Sequence, residues 1–313
     1  MKKYILSRLL QLIPILIGIT FITFGMLQFA STDVVDKMYE QSGTVSEEVK
    51  AKKRAELGLD QPFLVQYGNW LKCVFTGNMG RSFVSDKSVS ETFLDKLPAT
   101  LELMAISIVL TLLISIPLGI ISAINQNNFF DWIIRFFSFI GNSLPNFFVG
   151  LLLIYFLALK LNLLPIMGSI YDWRSVIMPA LTLTIAMSAK YIRQIRAVVL
   201  EELNKPYVIG ARSRGVKEST ILIKSVFPST FVTIITLIAL SIGSLLGGTA
   251  VVEIIFMWDG VGKMAVDAIL MRDYPLIQAY VLWMSIIYVF VNLLADLLYY
   301  RLDPRVRFEK EEL

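Results

Sequence analysis

The stretch SVFPSTFVTIITLIALSIGSLLGGTAVV, Ser225 to Val252, runs for 28 residues without a charged side chain. About 20 predominantly apolar residues suffice for a helix to cross the hydrocarbon core of a bilayer, so this stretch predicts a membrane span. Four more charge-free runs of spanning length lie at Leu9–Thr32, Leu103–Phe130, Phe136–Leu159 and Tyr274–Ala295. A sixth, Ser175–Ala189, has only 15 uncharged residues and contains Pro179. It reaches spanning length when Arg174 and Lys190 snorkel toward the headgroups. Composition agrees: 17% of the 313 residues are charged and 56% are hydrophobic, against about 25% charge in soluble domains. The reading is an all-α integral membrane protein with six transmembrane helices.

Basic residues in short loops set the orientation. With the N-terminus inside, Lys2, Lys3, Arg8, Arg135, the basic residues from Lys190 to Lys224, and Arg301, Arg305, Arg307 and Lys310 are cytoplasmic. The short outer loops then hold only Lys160, Arg174, Lys263 and Arg272. Residues 1–30 become the cytoplasmic N-terminus and first helix, and 31–98 an extracytoplasmic segment. Residues 99–300 form the transmembrane core with a cytoplasmic loop at 190–228, and 301–313 a cytoplasmic tail. Lys2, Lys3 and Arg8 ahead of an apolar stretch mimic a signal peptide. The apolar core is too long and Phe29-Ala30-Ser31 too poor a cleavage site, which predicts an uncleaved span. The net charge of +4 reports orientation and carries no argument for nucleic acid. The lone Cys73 excludes an intrachain disulfide.

Two places depart from the lipid-spanning pattern. The segment Ser31–Pro98 is polar enough to fold in water, with turn signals at Asp60-Gln61-Pro62 and Thr76-Gly77-Asn78. Val45–Leu57 carries alternating charges at helical spacing, which predicts a surface helix ended by Gly58. The chain contains no histidine and no Ser or Cys beside a plausible base, so an enzymatic domain is not expected. The second departure is YVIGARSRGVKESTILIKSVFPS, Tyr207 to Ser229. Asn204 is expected to cap a helix with Pro206 in its first turn, running to Arg214 and closed by Gly215. A second short helix over Lys217–Phe227 is expected to stop at Pro228. Arg212, Arg214, Lys217 and Lys224 make the pair basic, and Tyr207, Val208, Ile209 and Ala211 give it an apolar side. A loop lying on anionic lipid does not require a glycine-hinged pair of helices, so the pattern points to a cytosolic docking partner.

Absences narrow the function. The nearest match to a phosphate-binding G-x-x-x-x-G-K-[ST] loop has Met257 in place of the first glycine and Met264 in place of the hydroxyl, so the chain is not expected to hydrolyse ATP. Ion-coupled carriers need an ionisable group within a span, and all six runs are uncharged. The energy must come from another subunit. In the fifth run, Ser241, Gly243, Ser244, Gly247 and Gly248 place small residues at helical spacing. That suits close helix packing or a roomy lining for a passing solute, on the same or different faces. Pro117 in the second run and Gly141, Pro145 and Gly150 in the third predict kinks.

These residues resemble, over nearly the whole chain, the permease subunits of bacterial ABC importers of the peptide/nickel family, in particular the first of their two permeases. The cytoplasmic stretch is similar to that family's E-A-A loop: Ala211, Gly215 and Pro228 keep the register, while Ile209, Gly210, Ser225 and Phe227 replace other positions. Gly58-Leu59-Asp60-Gln61-Pro62 with Gln66-Tyr67, Leu97-Pro98-Ala99-Thr100-Leu101-Glu102-Leu103 and Glu253-Ile254-Ile255-Phe256-Met257-Trp258 add to the likeness. So do Arg272-Asp273-Tyr274-Pro275 and Leu302-Asp303-Pro304-Arg305-Val306-Arg307. Asp259 departs from the proline common after that Trp. The resemblance implies a type I importer fold in a bacterial cell membrane, in contact with lipid. It implies three kinds of assembly partner, namely a second homologous permease, cytosolic ABC ATPase subunits and an extracytoplasmic substrate-binding protein, and no nucleic acid. Tyr207, Ala211, Arg212, Arg214, Gly215, Lys217 and Pro228 would couple to the ATPase. No catalytic residue, cofactor or metal ligand is implied. Phe139–Phe147 and Leu164–Gly168 are closer to the nickel permease than to oligopeptide permeases, so the implied cargo is nickel. Without histidine, the commonest nickel ligand, it would cross as a small chelate or be passed on weakly. Di- or oligopeptides are the alternative cargo, and an ion-coupled carrier or a membrane receptor the more distant alternatives.

Overall fold

A computed structural model describes residues 2–29, 32–40, 45–167 and 172–302. The tail motif from Asp303 onward and Gly168 lie outside the described residues. The described chain is helical: α1 Lys2–Gln28, α2 Val34–Tyr39, α3 Glu47–Glu56, α4 Phe63–Phe75, α5 Val89–Ile124, α6 Phe129–Ser143 and α7 Asn146–Leu153. They are followed by α8 Ile177–Leu203, α9 Pro206–Ser213, α10 Glu218–Ile221, α11 Phe227–Ile255, α12 Val261–Met271 and α13 Tyr274–Leu302. Five helical segments are long and apolar enough to cross a membrane: Leu10–Gln28, Val89–Ile124, Trp173–Leu203, Thr233–Ile255 and Tyr274–Leu297. Counted as one broken span, the bent pair Phe129–Ser143 with Asn146–Lys160 is a sixth.

The structure corrects the expected third span. In place of one kinked helix over Phe136–Leu159, the chain turns by 103° between α6 and α7. Pro145 is the cause. Its ring pushes the preceding residue out of the helical region, and Leu144 is extended at φ −84°, ψ 131°. The shortest run lengthens: a 3₁₀ turn at Trp173–Val176 leads into α8, which continues well past Lys190. Tyr191, Ile195 and Val199 recur every four residues and are buried, so much of the expected 190–228 loop is a packed helix. The boundary expected at residue 98 falls inside α5, which starts at Val89.

The chain divides into two units. One comprises Met1–Thr100 and Asp259–Phe290. Here α3 has no buried residue, as its alternating charges require, and Arg54 ties it to Asp33 (2.5 Å) and Asp36 (2.9 Å). Gly58 ends it at φ +69°, a left-handed conformation that glycine adopts without a Cβ penalty. Asp273, 2% exposed, accepts from the Ser82 hydroxyl at 2.5 Å and the Phe83 amide at 3.1 Å. Lys96 pairs with Asp259, and Thr100 Oγ1 accepts from the Val261 amide at 2.9 Å.

The other unit comprises Leu101–Trp258 and Val291–Leu313, with α6, α7 and α11 packed around α8. Glycine permits the closest approach: a Cβ on Gly119 would lie 2.8 Å from Ile195 Cγ2 and 3.2 Å from the Ile192 carbonyl oxygen. Gly141 faces Ala189 and Gly150 faces Phe256 in the same way. Gly141 and Gly150, expected to kink helices, thus serve close contact.

Candidate coupling site

The basic stretch after α8 forms two short helices joined at Gly215, as its sequence suggests, but with different ends. Asn204 does not start α9. It ends α8, its backbone amide donating to Glu201 O and its side-chain amide to Leu200 O at 2.9 Å. Lys205 precedes α9, and Pro206 occupies the first turn, where its missing N–H costs nothing. At the far end Gly215 N–H donates to Arg212 O (2.9 Å) and Val216 N–H to Ala211 O (3.2 Å). This is the paired Schellman pattern, with Gly215 at φ +75°.

Pro228 is the second correction. It lies in the first turn of α11 and stops nothing. From α10 the backbone passes through a π-helical turn at Leu222–Val226 straight into α11. In that turn Phe227 N–H donates to Leu222 O, five residues back. Pro228 has no N–H to donate, and the wider turn lets the chain stay helical around it. The expected helix over Lys217–Phe227 is therefore continuous with the helix that forms the fifth span.

The apolar side of the pair splits in two. Val208 and Ile221 are fully buried in one cluster with Tyr191, Ile195, Val199, Leu203 and Leu237, and Ala211 packs against it. Tyr207 and Ile209 face outward at 44% and 53% exposure. Burying an aliphatic side chain contributes roughly 1.5–3 kcal/mol, so Val208 and Ile221 seat the loop on the helices that lead to α8 and α11. Glu202, buried at the end of α8, accepts from Lys205 Nζ and from the Tyr207 hydroxyl, both at 2.5 Å. Burial, and next the Glu202 carboxylate, push the Tyr207 hydroxyl pKa up, so that hydroxyl stays a donor.

Arg212 is not a free surface cation. It grips Glu218 across the glycine bend with two bonds, at 3.0 and 2.5 Å. Hydrogen bonds from Arg212 hold the Glu218 carboxyl below the usual glutamate range, so the pair persists at neutral pH and is lost only in acid. Both side chains are nearly half exposed, and such pairs contribute at most about 1 kcal/mol. Arg214, Lys217 and Lys224 are exposed with no ion-pair partner among the described residues. Outward, then, the loop offers Tyr207, Ile209, Arg214 and Lys217.

Sequence reasoning missed Asp131. It is fully buried and accepts from Arg196 Nε and Nη2 (2.8 Å each), Ser122 Oγ (2.5 Å) and the Asn127 amide (3.0 Å). It joins the end of α5, the start of α6 and the C-terminal third of α8. The signal was present: a lone carboxylate flanked by Phe129, Phe130, Trp132 and Ile133 is costly next to hydrocarbon unless paired.

On α11 the small residues part company. Ser241 is buried, sharing a hydrogen bond with the Tyr191 hydroxyl, which also donates to Leu237 O at 2.8 Å. Ser244 and Gly247 are exposed, Gly243 and Gly248 half-buried, and Cβ atoms placed on Gly247 or Gly248 would meet nothing within 4 Å. Ser244, Gly247, Gly248 and Val251 lie within one helical face. Within its unit that face is open.

Comparison with known proteins agrees with the geometry. Residues 115–308 match the family described as binding-protein-dependent transport system inner membrane component, and residues 1–104 match its N-terminal domain. The oligopeptide transport system permease protein AppB of Bacillus subtilis is 38% identical over 98% of this chain and 100% of its own. From Staphylococcus aureus, the metal-staphylopine import system permease protein CntB is 34% identical over 98% of this chain and 99% of its own. The nickel import system permease protein NikB is 36% identical over 98% and 92%. Among solved structures, an inward-facing form of the MetNI methionine ABC transporter superposes with TM-score 0.56 at 15% identity, covering 68% of this chain and 96% of that one. That likeness concerns the fold.

Proposed function

The chain belongs to the binding-protein-dependent transport system inner membrane components, as a permease subunit of the peptide/nickel ABC importers, and from that premise we propose how it couples, what it faces and what it carries. It is a multi-pass membrane protein, not an enzyme, and works with ATPase subunits and a substrate-binding protein. The observation that carries the coupling reading is the seating of the Gly215-bent pair. Val208 and Ile221 lock it to the cluster around Tyr191 and Leu237, while Tyr207, Ile209 and Arg214 point out. A partner that grips the outward residues moves α9 and α10. The π turn then passes that displacement into α11 without an intervening flexible loop.

In this reading the N-terminus and the 204–228 region are cytoplasmic and the 31–98 segment is outside, in a bacterial plasma membrane. Cysteines placed at Ser88 and Ser219 in a Cys73→Ser background test it with a membrane-impermeant thiol reagent on intact cells. Labelling at 88 alone is expected; labelling at 219 alone inverts the topology.

The open face of α11 at Ser244, Gly247 and Gly248 meets the second homologous permease or the cargo path. The cargo is nickel carried as a small chelate, supported by the likeness to NikB and CntB and by a chain without histidine. Short peptides are the second reading, favoured by the identity with AppB. Uptake of labelled nickel, with and without an amino-acid chelator, and of a labelled dipeptide separates them in a strain lacking the gene. Chelated nickel uptake should return with the parent gene. It should not return with Gly247→Leu, although that side chain fits the chain's own fold and membrane levels stay normal. Full uptake by Gly247→Leu would remove this face from the path and from the subunit contact.

A further inference from the structure

We infer that α4 lies in the membrane leaflet at the C-terminal end of α1, with its Leu64, Leu71 and Phe75 side against lipid acyl chains. The segment after the first span is then anchored in lipid, whereas its overall polarity had suggested a body standing in water.

Depth is the first argument. The apolar window of α1, Leu10–Gln28, has 19 residues, about 28 Å at roughly 1.5 Å per residue, close to the ~30 Å of a hydrocarbon core. Helix α4 packs on this window and not on its tip. The Tyr67 hydroxyl donates to Ile17 O (3.2 Å) and lies 3.0 Å from Thr20 Oγ1. The rings of Phe63 and Tyr67 stand edge-on to Phe21 and Phe24 with centroids 5.3–5.6 Å apart. Ile17 to Phe24 sit about 6–17 Å along the axis from Gln28. A helix held there runs beside the acyl chains of one leaflet.

The sides of α4 fit that depth. At about 100° per residue, Phe63, Tyr67, Trp70 and Val74 share the side toward α1. The next side carries Leu64, Gly68, Leu71 and Phe75, with Leu64 69% and Phe75 82% exposed. The third carries Val65, Asn69, Lys72, Cys73 and Thr76, all exposed and, Val65 and Cys73 apart, polar. One side on a span, one apolar and open, one polar is the pattern of a helix at the boundary of headgroup and acyl chain. Trp70 and Tyr67 are residue types enriched at that level, and Lys72 has the stem length to reach the headgroups. Continuity supplies the occupant: only 11% of the α1 window is buried, so the apolar span on which α4 rests is itself open to acyl chains, and the open side of α4 extends that surface.

The test uses the full-length chain with its importer partners in phospholipid bilayers, carrying Cys73→Ser and one spin-labelled cysteine at a time: Leu64→Cys, Phe75→Cys or Asn69→Cys. Relaxation by dissolved oxygen, which concentrates in acyl chains, is compared with relaxation by chromium oxalate, which stays in water. Oxygen should dominate at 64 and 75 and the chelate at 69. If the chelate reaches 64 and 75 as readily as 69, α4 stands in water. If neither reagent reaches 64 and 75, a protein partner covers this side. Either result overturns the proposal.

Discussion

Gly215→Val is expected to leave the chain in the membrane at its normal level and to abolish uptake. The residue sits at φ +75° with nothing within 4 Å of where a Cβ would go. The penalty is therefore conformational: roughly 1 kcal/mol for a residue with a Cβ, and more for a β-branched one. That is less than the burial of Val208 and Ile221 contributes together, at roughly 1.5–3 kcal/mol each. The loop should stay seated while its bend changes. A changed bend opens the Schellman bonds of Gly215 and Val216, separates Arg212 from Glu218, and re-aims Tyr207, Ile209 and Arg214. Asparagine tolerates the left-handed region, so Gly215→Asn should keep most of the uptake. Cargo uptake alongside membrane abundance measures both.

Asp131→Ala should have the largest effect on stability. It removes the acceptor of two Arg196 bonds, one Ser122 bond and one Asn127 bond, and leaves Arg196, with only 18% of its side chain exposed, as an uncompensated charge. Removing one partner of a buried pair costs about 3–5 kcal/mol. The variant should be depleted from membranes and, in detergent, melt well below the parent. Adding Arg196→Leu should recover much of the loss, because no buried charge then remains unpaired. A single variant as stable as the parent would show that Asp131 holds nothing together.

The spans were readable because each charge-free run predicts transfer into lipid from its own residues, whatever the rest of the chain does. Gly58 and Gly215 were readable for a similar reason: a glycine just past a helical pattern is a local requirement of backbone geometry. What failed locally was the competition at Asn204. The residue serves either end of a helix, and burial of Leu203 and Val199 extended α8 to meet it. Pro228 misled because a proline reads as a stop, whereas a π turn just before it lets the helix absorb the missing donor. Pro145 was seen as a kink, but the size of the bend is set by Leu144 leaving the helical region altogether. Asp131 with Arg196, and Arg212 with Glu218, are pairings in space, and no spacing rule announced them. The residues proposed to couple, Tyr207, Ala211, Arg212, Arg214, Gly215, Lys217 and Pro228, were grouped through the glycine and the family pattern. Which of them face out, and which hold the loop together, required the fold.

In the proposed coupling, the Gly215-bent pair grips the ATPase and drives α11. The most direct measurement is co-purification of the ATPase subunit with the parent chain, Gly215→Val and Gly215→Asn, alongside ATP hydrolysis stimulated by the loaded binding protein. Gly215→Val should lose both, Gly215→Asn should retain both, and all three chains should be equally abundant in the membrane. Equal ATPase recovery and equal stimulation for Gly215→Val and the parent would contradict the coupling, and would make the pair a passive segment on the membrane surface.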